Sequence, residues 1–142
     1  TGALPAISGA NLTNLAGGLV AQARHAIDTS TSTQFNPIGY VDKLTLTVSN
    51  VQSTSKILLF YRFGLLHSGS GTTLGRVTGP SLFGGDTQFS VASNPGSQTF
   101  SGVLFDASSS TTREFKIQYA DNGGVNSTIS NCELVAIEIK LS

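Results

Sequence analysis

The side chains that could bind a metal or act as nucleophiles are few and far apart in the sequence. His25 and His67 are the two histidines, and neither belongs to an H-x-H or H-E-x-x-H pattern that would place two zinc ligands together. Cys132 is the one cysteine, so no disulfide can form within the chain, and its apolar neighbours are typical of a buried small side chain. No G-x-S-x-G elbow or phosphate-binding loop occurs. We therefore expect no metal, no cofactor and no nucleophilic catalysis.

Eight carboxylates remain as candidates for acid–base chemistry: Asp28, Asp42, Asp86, Asp106, Glu114, Asp121, Glu133 and Glu138. Glycoside hydrolysis needs two carboxylates that face each other across the scissile bond, and the sequence leaves such a pair open. Most of these carboxylates, however, stand near the ends of predicted strands, and Asp86 and Asp121 stand beside Gly or Asn, where Asp stabilises turns. The segment 121–123 resembles a fragment of a calcium loop but lacks the remaining ligands. We interpret it as a turn and expect the protein not to be an enzyme.

The charge composition excludes several classes of partner. Charged residues make up 11% of the 142 residues, against about 25% in ordinary soluble domains, and the formal net charge is +0. Nucleic-acid binding needs a basic patch, and adsorption to an anionic membrane needs clustered Lys or Arg. No apolar run approaches the roughly 20 residues of a membrane-spanning helix. We expect no nucleic-acid partner and no membrane insertion.

Hydrophobic periodicity predicts an all-β fold of eight or nine short strands with turn signals between them. The predicted strands are 19–27, 41–48, 55–66, 73–78, 87–92, 98–106, 113–120 and 128–141. Apolar and polar residues alternate most cleanly in 41–48 and 113–120, as in half-buried strands. The hydroxyl-rich segment 28–34 is a predicted turn, and 121–124 is a predicted hairpin-type turn. This pattern favours a β-sandwich or jelly roll.

Two predicted strands carry apolar residues on both faces. The strand 55–66 has Ile57, Leu59, Tyr61, Phe63 and Leu65 on one face and Leu58 and Phe60 on the other. The strand 128–141 has Leu134 and Ala136 on one face and Val135, Ile137 and Ile139 on the other. A sandwich strand buries one face against the opposite sheet, so the second face needs another partner, and a subunit interface is the economical one. The candidate interface residues are Leu58, Phe60, Tyr61 and Leu134; whether Phe60 or Tyr61 lines that interface is left open.

Residues 1–18 differ from the rest of the chain and predict a short extended linker or shaft segment ahead of a domain that spans 19–142. Four large apolar residues stand there among Gly, Ala, Asn and a Pro, which is too little apolar surface for an independent fold. Copies of this segment in an oligomer could bury Ile7 and Leu12 near a shared axis. We therefore add Ile7 and Leu12 to the candidate interface.

Three stretches carry a resemblance to a known family. The opening GALPAISGANLTNL is similar to a linker that recurs in bacteriophage tail-fibre proteins just ahead of their C-terminal domain. STSKILLFYRFG (53–64) and CELVAIEIKL (132–141) resemble strands of the trimeric C-terminal jelly rolls of such fibres, which are themselves similar to the TNF/C1q fold. The absence of Trp and of a cysteine pair departs from animal TNF and C1q domains.

The resemblance implies a homotrimeric virion protein: a fibre-tip domain, assembled in the host cytoplasm with other virion or fibre proteins, that attaches to a host surface glycan or protein. The apolar pattern alone would permit a dimer, so three-fold symmetry comes from the resemblance. Receptor contacts would fall in the loops, with these candidates: His67, Ser68, Ser70, Asp86, Asn94, Ser109, Asp121 and Asn122. The alternatives are a purely architectural decoration or capping trimer and, from a different class, a polysaccharide-degrading enzyme.

Overall fold

The computed structural model describes residues 19–35, 39–69, 71–92, 96–123 and 126–140, and this part of the chain is all-β. Its nine strands are β1 Val20–Asp28, β2 Ser32–Phe35, β3 Val41–Val48, β4 Lys56–Ser68, β5 Thr72–Thr78, β6 Thr87–Val91, β7 Gly96–Asp106, β8 Arg113–Asn122 and β9 Asn126–Ile139. Each of the eight predicted strands begins and ends within two residues of an observed one. The all-β prediction is therefore confirmed for the described residues, and Ile7 and Leu12 lie outside them.

The strands form two antiparallel sheets that pack face to face. The first sheet has the order β1-β9-β4-β7, with β2 also pairing with β9, and the second sheet has the order β3-β8-β5-β6. Along the chain, the path changes sheet after β2, β3, β4, β6, β7 and β8. Such repeated crossing between two antiparallel sheets is the jelly-roll arrangement of a β-sandwich.

The structure corrects two turn predictions. The predicted turn 28–34 contains β2, whose Ser32–Phe35 pairs with β9. Among the described strands, β2 pairs with β9 alone and so lies at an edge of the sheet, where side chains can stay solvated. Its residues are therefore mostly polar and lack the apolar pattern by which a strand is predicted. The predicted hairpin turn 121–124 does not join a hairpin, since β8 pairs with β3 and β5 while β9 pairs with β1 and β4. A turn signal marks where the chain reverses, but the next strand here belongs to the other sheet.

The core lies between the sheets and is built from the residues of each strand that point inward, which are every second residue along it. On β4 the inward residues are Ile57, Leu59, Tyr61, Phe63 and Leu65, all at most 9% exposed. They meet Phe115, Ile117 and Tyr119 of β8 in one hydrophobic cluster. Cys132 belongs to the same cluster with no exposed surface, and its burial raises the pKa of its thiol to about 12. The prediction that Cys132 is a buried small side chain is therefore confirmed.

The two ends of the sandwich differ in what they carry. Val20 pairs with Ile139, and the Lys140 N–H donates to the Leu19 carbonyl at 2.8 Å. The start of β1 and the end of β9 therefore lie at the same end of the sandwich, here called the proximal end. The connections 79–86 and 107–112 lie at the same end. At the opposite, distal end, β4 and β8 finish and β5, β7 and β9 begin.

A buried ion pair fixes the loops of the proximal end. Arg113 and Asp106 have fully buried side chains, and Arg113 Nη1 lies 3.0 Å from Asp106 Oδ2. The remaining guanidinium hydrogens reach the carbonyls of Ser110 and Ser55 at 3.0 and 2.9 Å, while Asp106 Oδ1 accepts from the Ser81 N–H at 2.9 Å. The ion pair is thereby hydrogen-bonded to three loops, two through Arg113 and one through Asp106, and these bonds compensate the burial of the two charges.

Candidate functional site

The outward face of the first sheet is apolar across three neighbouring strands, β7, β4 and β9. On β4, Leu58 lies between Phe105 of β7 and Ile137 of β9, and in the next row Phe60 lies between Val103 and Val135. Neighbouring side chains on one face of an antiparallel sheet stand close enough to contact, so these two rows form a single surface. Phe60 is 39% exposed, Phe105 is 38% and Val103 is 53%.

The same face extends past β7 to a projecting aromatic ring. The segment 81–83 pairs with the free edge of β7 through the Leu82–Asp106 bridge, and the Phe83 N–H donates to the Phe105 carbonyl at 2.8 Å. Leu82 points into the core with 7% of its surface exposed, and successive side chains of an extended chain point to opposite sides. Phe83 therefore stands on the outward side beside Phe105, with 83% of its surface exposed.

An open pocket of about 370 Å³ lies on this face between β4 and β9. It is lined by Phe60, Tyr61, Arg62, Glu133, Val135 and Ile137. Arg62 and Glu133 face each other across the strand pair, yet Glu133 Oε1 is paired with His25 Nε2 at 3.1 Å. Within the described residues, Arg62 forms no ion pair. The pocket thus has an apolar floor and one cation at its rim that is free to interact with something else.

The predicted interface residues divide between this face and the core. Leu58 and Phe60 lie on the outward face, as an interface would require. Tyr61 and Leu134 are 9% and 0% exposed and fill the core between the sheets, so their assignment to the interface is wrong. Alternation along a strand separates its two faces, but it does not determine which face meets the second sheet. On β9 the apolar residues of the outward face include Val135 and Ile137, in place of the predicted Leu134.

The candidate receptor residues do not form one group. Ser68, Asp121 and Asn122 lie at the distal end, where Ser68 and Asn122 are exposed and Asp121 is half-buried. Asp86 and Ser109 lie in the proximal connections 79–86 and 107–112, so the structure does not bring them together with the others. Ser70 and Asn94 lie outside the described residues. Sequence order alone does not tell which loops share an end.

His67 is buried at the distal end and cannot serve as a surface contact. Its Nδ1 lies 3.2 Å from Thr73 Oγ1, its Nε2 lies 3.1 Å from the Gly69 carbonyl, and Thr73 Oγ1 continues to Ser127 Oγ at 3.1 Å. These contacts join the start of β5 to the start of β9. The prediction that His67 lies in a loop was wrong because β4 continues through Ser68. The sequence did contain a signal of its burial, since His67 follows Phe63 and Leu65 at the two-residue spacing of one strand face.

The outward face of the second sheet is polar and internally paired. Arg76 lies over the Tyr40 ring at 3.9 Å from its centroid and donates from Nε to Gln118 Oε1 at 2.6 Å. Asp42 accepts hydrogen bonds from Gln118 and from Lys116, and these bonds hold the pKa of Asp42 below its usual value. The two sheets therefore present opposite surfaces, one apolar and one charged.

Three of the carboxylates have pKa values shifted in the direction opposite to the one that acid catalysis needs. A glycosidase acid needs a raised pKa, whereas Asp28, Asp42 and Glu138 each have a lowered one. For Glu138, burial alone would raise the pKa, but hydrogen bonds from the Gln52 N–H and the Gln22 amide outweigh it. The described residues contain no group of three or more His, Cys, Asp or Glu placed to hold a metal ion. The same part of the chain contains no helix long and apolar enough to span a membrane.

Comparison with known proteins found similarity to solved structures only, at low sequence identity. No family model matches the sequence, and no curated protein does. Among solved structures, the chain is similar to one of infectious bursal disease virus Gt strain, with 13% identity and a TM-score of 0.46 over 84% of this chain and 34% of that chain. It is also similar to one of the Gx strain, with 12% identity, a TM-score of 0.41 and the same coverages. The chain spans about a third of the length of these structures.

Proposed function

We propose that this chain is a structural protein of a virion, a non-enzymatic trimeric domain at the tip of a fibre. The observation that carries the proposal is the apolar outward face of the first sheet, centred on Leu58 and Phe60. The jelly-roll fold supports it, as does the resemblance of 53–64 and 132–141 to the trimeric C-terminal domains of phage fibres. Partners are further copies of this chain and other virion proteins.

The energetics favour burying this face against another copy. Burying one Leu or Phe side chain stabilises by about 1.5–3 kcal/mol, and two rows of such residues span β7, β4 and β9. Soluble monomers rarely expose a contiguous apolar patch beyond a few hundred Å². The polar face of the second sheet has its charges paired within the chain and needs no partner. Self-assembly through the first sheet follows from this contrast.

The placement of the two ends supports attachment to a host through the distal loops. Residues 1–18 join the sandwich at Leu19, which lies at the proximal end, so a fibre shaft preceding the domain would leave the distal end facing away. Ser68 and Asn122 are exposed there, and their hydroxyl and amide groups suit the hydroxyls of a glycan. A purely architectural capping trimer is the second candidate, favoured if these loops bind nothing.

Sedimentation measurements on one variant and one matched control test the proposed assembly. We expect the unmodified protein to sediment at three times its 14.7 kDa chain mass at micromolar concentration. Leu58→Asp should sediment as a folded monomer, because it places a charge at the centre of the apolar face. Thr45→Asp, on the exposed face of the second sheet, should remain a trimer. A monomeric unmodified protein would contradict the proposal.

A further inference from the structure

We infer that Phe83 of one copy inserts into the outward pocket between β4 and β9 of the next copy, so that the copies join through a head-to-tail contact. This inference rests on the proposed self-assembly and specifies its geometry. Its occupant is a second copy of this chain, since the projecting ring and the apolar pocket are both features of the one sequence.

Phe83 is held in its exposed position by the backbone on both sides. Leu82 is anchored in the core, the segment is hydrogen-bonded to the edge of β7 through the Phe83 N–H and the Ser81 carbonyl, and the Gly85 N–H returns to the Leu82 carbonyl at 2.9 Å. Gly84 and Gly85, with φ of 90° and 82°, turn the chain away immediately after the ring. A ring presented in this fixed way loses little conformational freedom on binding.

The outward pocket matches an aromatic ring in size and chemistry. A cavity of about 150 Å³ lined by apolar side chains is enough to bind benzene, and this open pocket measures about 370 Å³. Phe60 offers an edge or face for ring–ring contact, and Val135 and Ile137 supply the apolar walls. Arg62 at the rim has no ion-pair partner in the described chain and can lie over the inserted ring as a cation–π contact.

Phe83 cannot reach the pocket of its own chain. Adjacent strands are about 4.8 Å apart, and both β7 and β4 lie between the 81–83 segment and the pocket, a separation of about 12 Å. The ring and the pocket are therefore different patches on one face, and their contact is heterologous when it is repeated head to tail from copy to copy and isologous when it is made twice across a two-fold axis. Heterologous contacts of this kind close into rings when the rotation allows, as in a three-fold assembly. The apolar rows between ring and pocket would be covered by the same contact.

The test uses two interface variants and a matched control in the full chain. Phe83→Ser removes the ring, Val135→Trp fills the pocket, and Phe35→Ser removes an aromatic side chain that is 72% exposed on β2 at the distal end. By sedimentation, we expect Phe83→Ser and Val135→Trp each to weaken self-association by at least about 30-fold. Phe35→Ser should associate like the unmodified protein. Since Phe83 is almost fully exposed, circular dichroism and the urea midpoint of its variant should show an unchanged fold.

A mixing experiment tests the pairing of ring with pocket directly, and the sedimentation mass of the unmodified protein separates a head-to-tail three-fold ring from a two-fold dimer. Phe83→Ser keeps an intact pocket, and Val135→Trp keeps an intact ring. An equimolar mixture should therefore contain dimers of the two variants, at concentrations where each variant alone is monomeric. If Phe83→Ser remains a trimer while Leu58→Asp is monomeric, self-assembly stands and the Phe83 contact is wrong. If the unmodified protein is itself monomeric, the proposed function and this inference both fail.

Discussion

Lys43 is the residue that holds the interrupted edge of the first sheet in place. Its side chain is 4% exposed, and its ammonium group donates to Asp28 Oδ2 at 2.8 Å, Ser30 Oγ at 2.8 Å and Ser32 Oγ at 2.9 Å. These partners flank the break between β1 and β2, and Lys43 itself belongs to β3 of the opposite sheet. The hydrogen bond from Lys43, followed by those from Ser30, lowers the pKa of Asp28 to about 2.

The lowered pKa of Asp28 predicts a specific loss of stability in acid. A carboxyl whose folded pKa lies below its unfolded value of 3.8 stabilises the fold above that pH and loses this contribution as the pH falls toward about 2. We expect the urea midpoint of the unmodified protein to drop across this window and Asp28→Asn to show a smaller drop. Lys43→Met should flatten the profile in the same way. An Asp28→Asn profile parallel to that of the unmodified protein would contradict the assignment.

At the scale of the elements, glycines on one strand make room for the aromatic rings of another. A Cβ added at Gly75 of β5 would lie 2.8 Å from Phe63 Cε2 and 3.0 Å from Leu65 Cδ1. Phe63 in turn packs against Phe89 and Phe100, with ring centroids 5.3 and 5.6 Å apart. The distance between the two sheets is therefore set by these pairings of small and large residues.

Gly75→Ala should destabilise the fold through overpacking. We expect a loss of about 1–3 kcal/mol in the free energy of unfolding, measured by urea denaturation, because both contacts are with side chains of the close-packed core. Phe63→Leu in the same chain should recover part of this loss by vacating the space that the new methyl group needs. Strictly additive effects in the double variant would show that Phe63 is not the cause.

At the scale of the whole molecule, the sandwich separates four surfaces. The outward face of the first sheet is apolar, that of the second sheet is polar and paired, and the proximal and distal ends carry different loops. Assembly through the first face would leave the distal loops exposed in every copy. Three copies binding one surface gain avidity from weak individual contacts, which suits loops that carry hydroxyls and amides and few charges.

The distal end should carry any glycan binding. On an immobilised glycan array, we expect the double variant Ser68→Ala, Asn122→Ala to bind about tenfold more weakly, because two hydrogen bonds are lost. The proximal double variant Asp86→Ala, Ser109→Ala is the matched control and should bind normally. An equal loss from the proximal variant would contradict the orientation. Binding to no glycan or host protein would favour the architectural alternative, and release of reducing sugar would favour the enzyme.

The sequence by itself determined eight of the nine described strands and the presence of apolar residues on both faces of two of them. Alternation in 41–48 and 113–120 has a period of two, which only an extended chain turns into one buried and one exposed face. The apolar residues on both faces of 55–66 likewise required a second surface, and Leu58 and Phe60 do lie on one. These features are local, so a window of eight to twelve residues contains them.

Only the tertiary structure decided which face is which and what lies beside it. Tyr61 and Leu134 point into the core because the second sheet covers that side, a fact set by pairings between strands distant in sequence. The same pairings bury His67, divide the candidate loops between two ends and place Phe83 beside Phe105. The one local signal for Phe83 was an aromatic residue directly before Gly84 and Gly85. Its role depends on the edge of β7, which lies more than ten residues further along the chain.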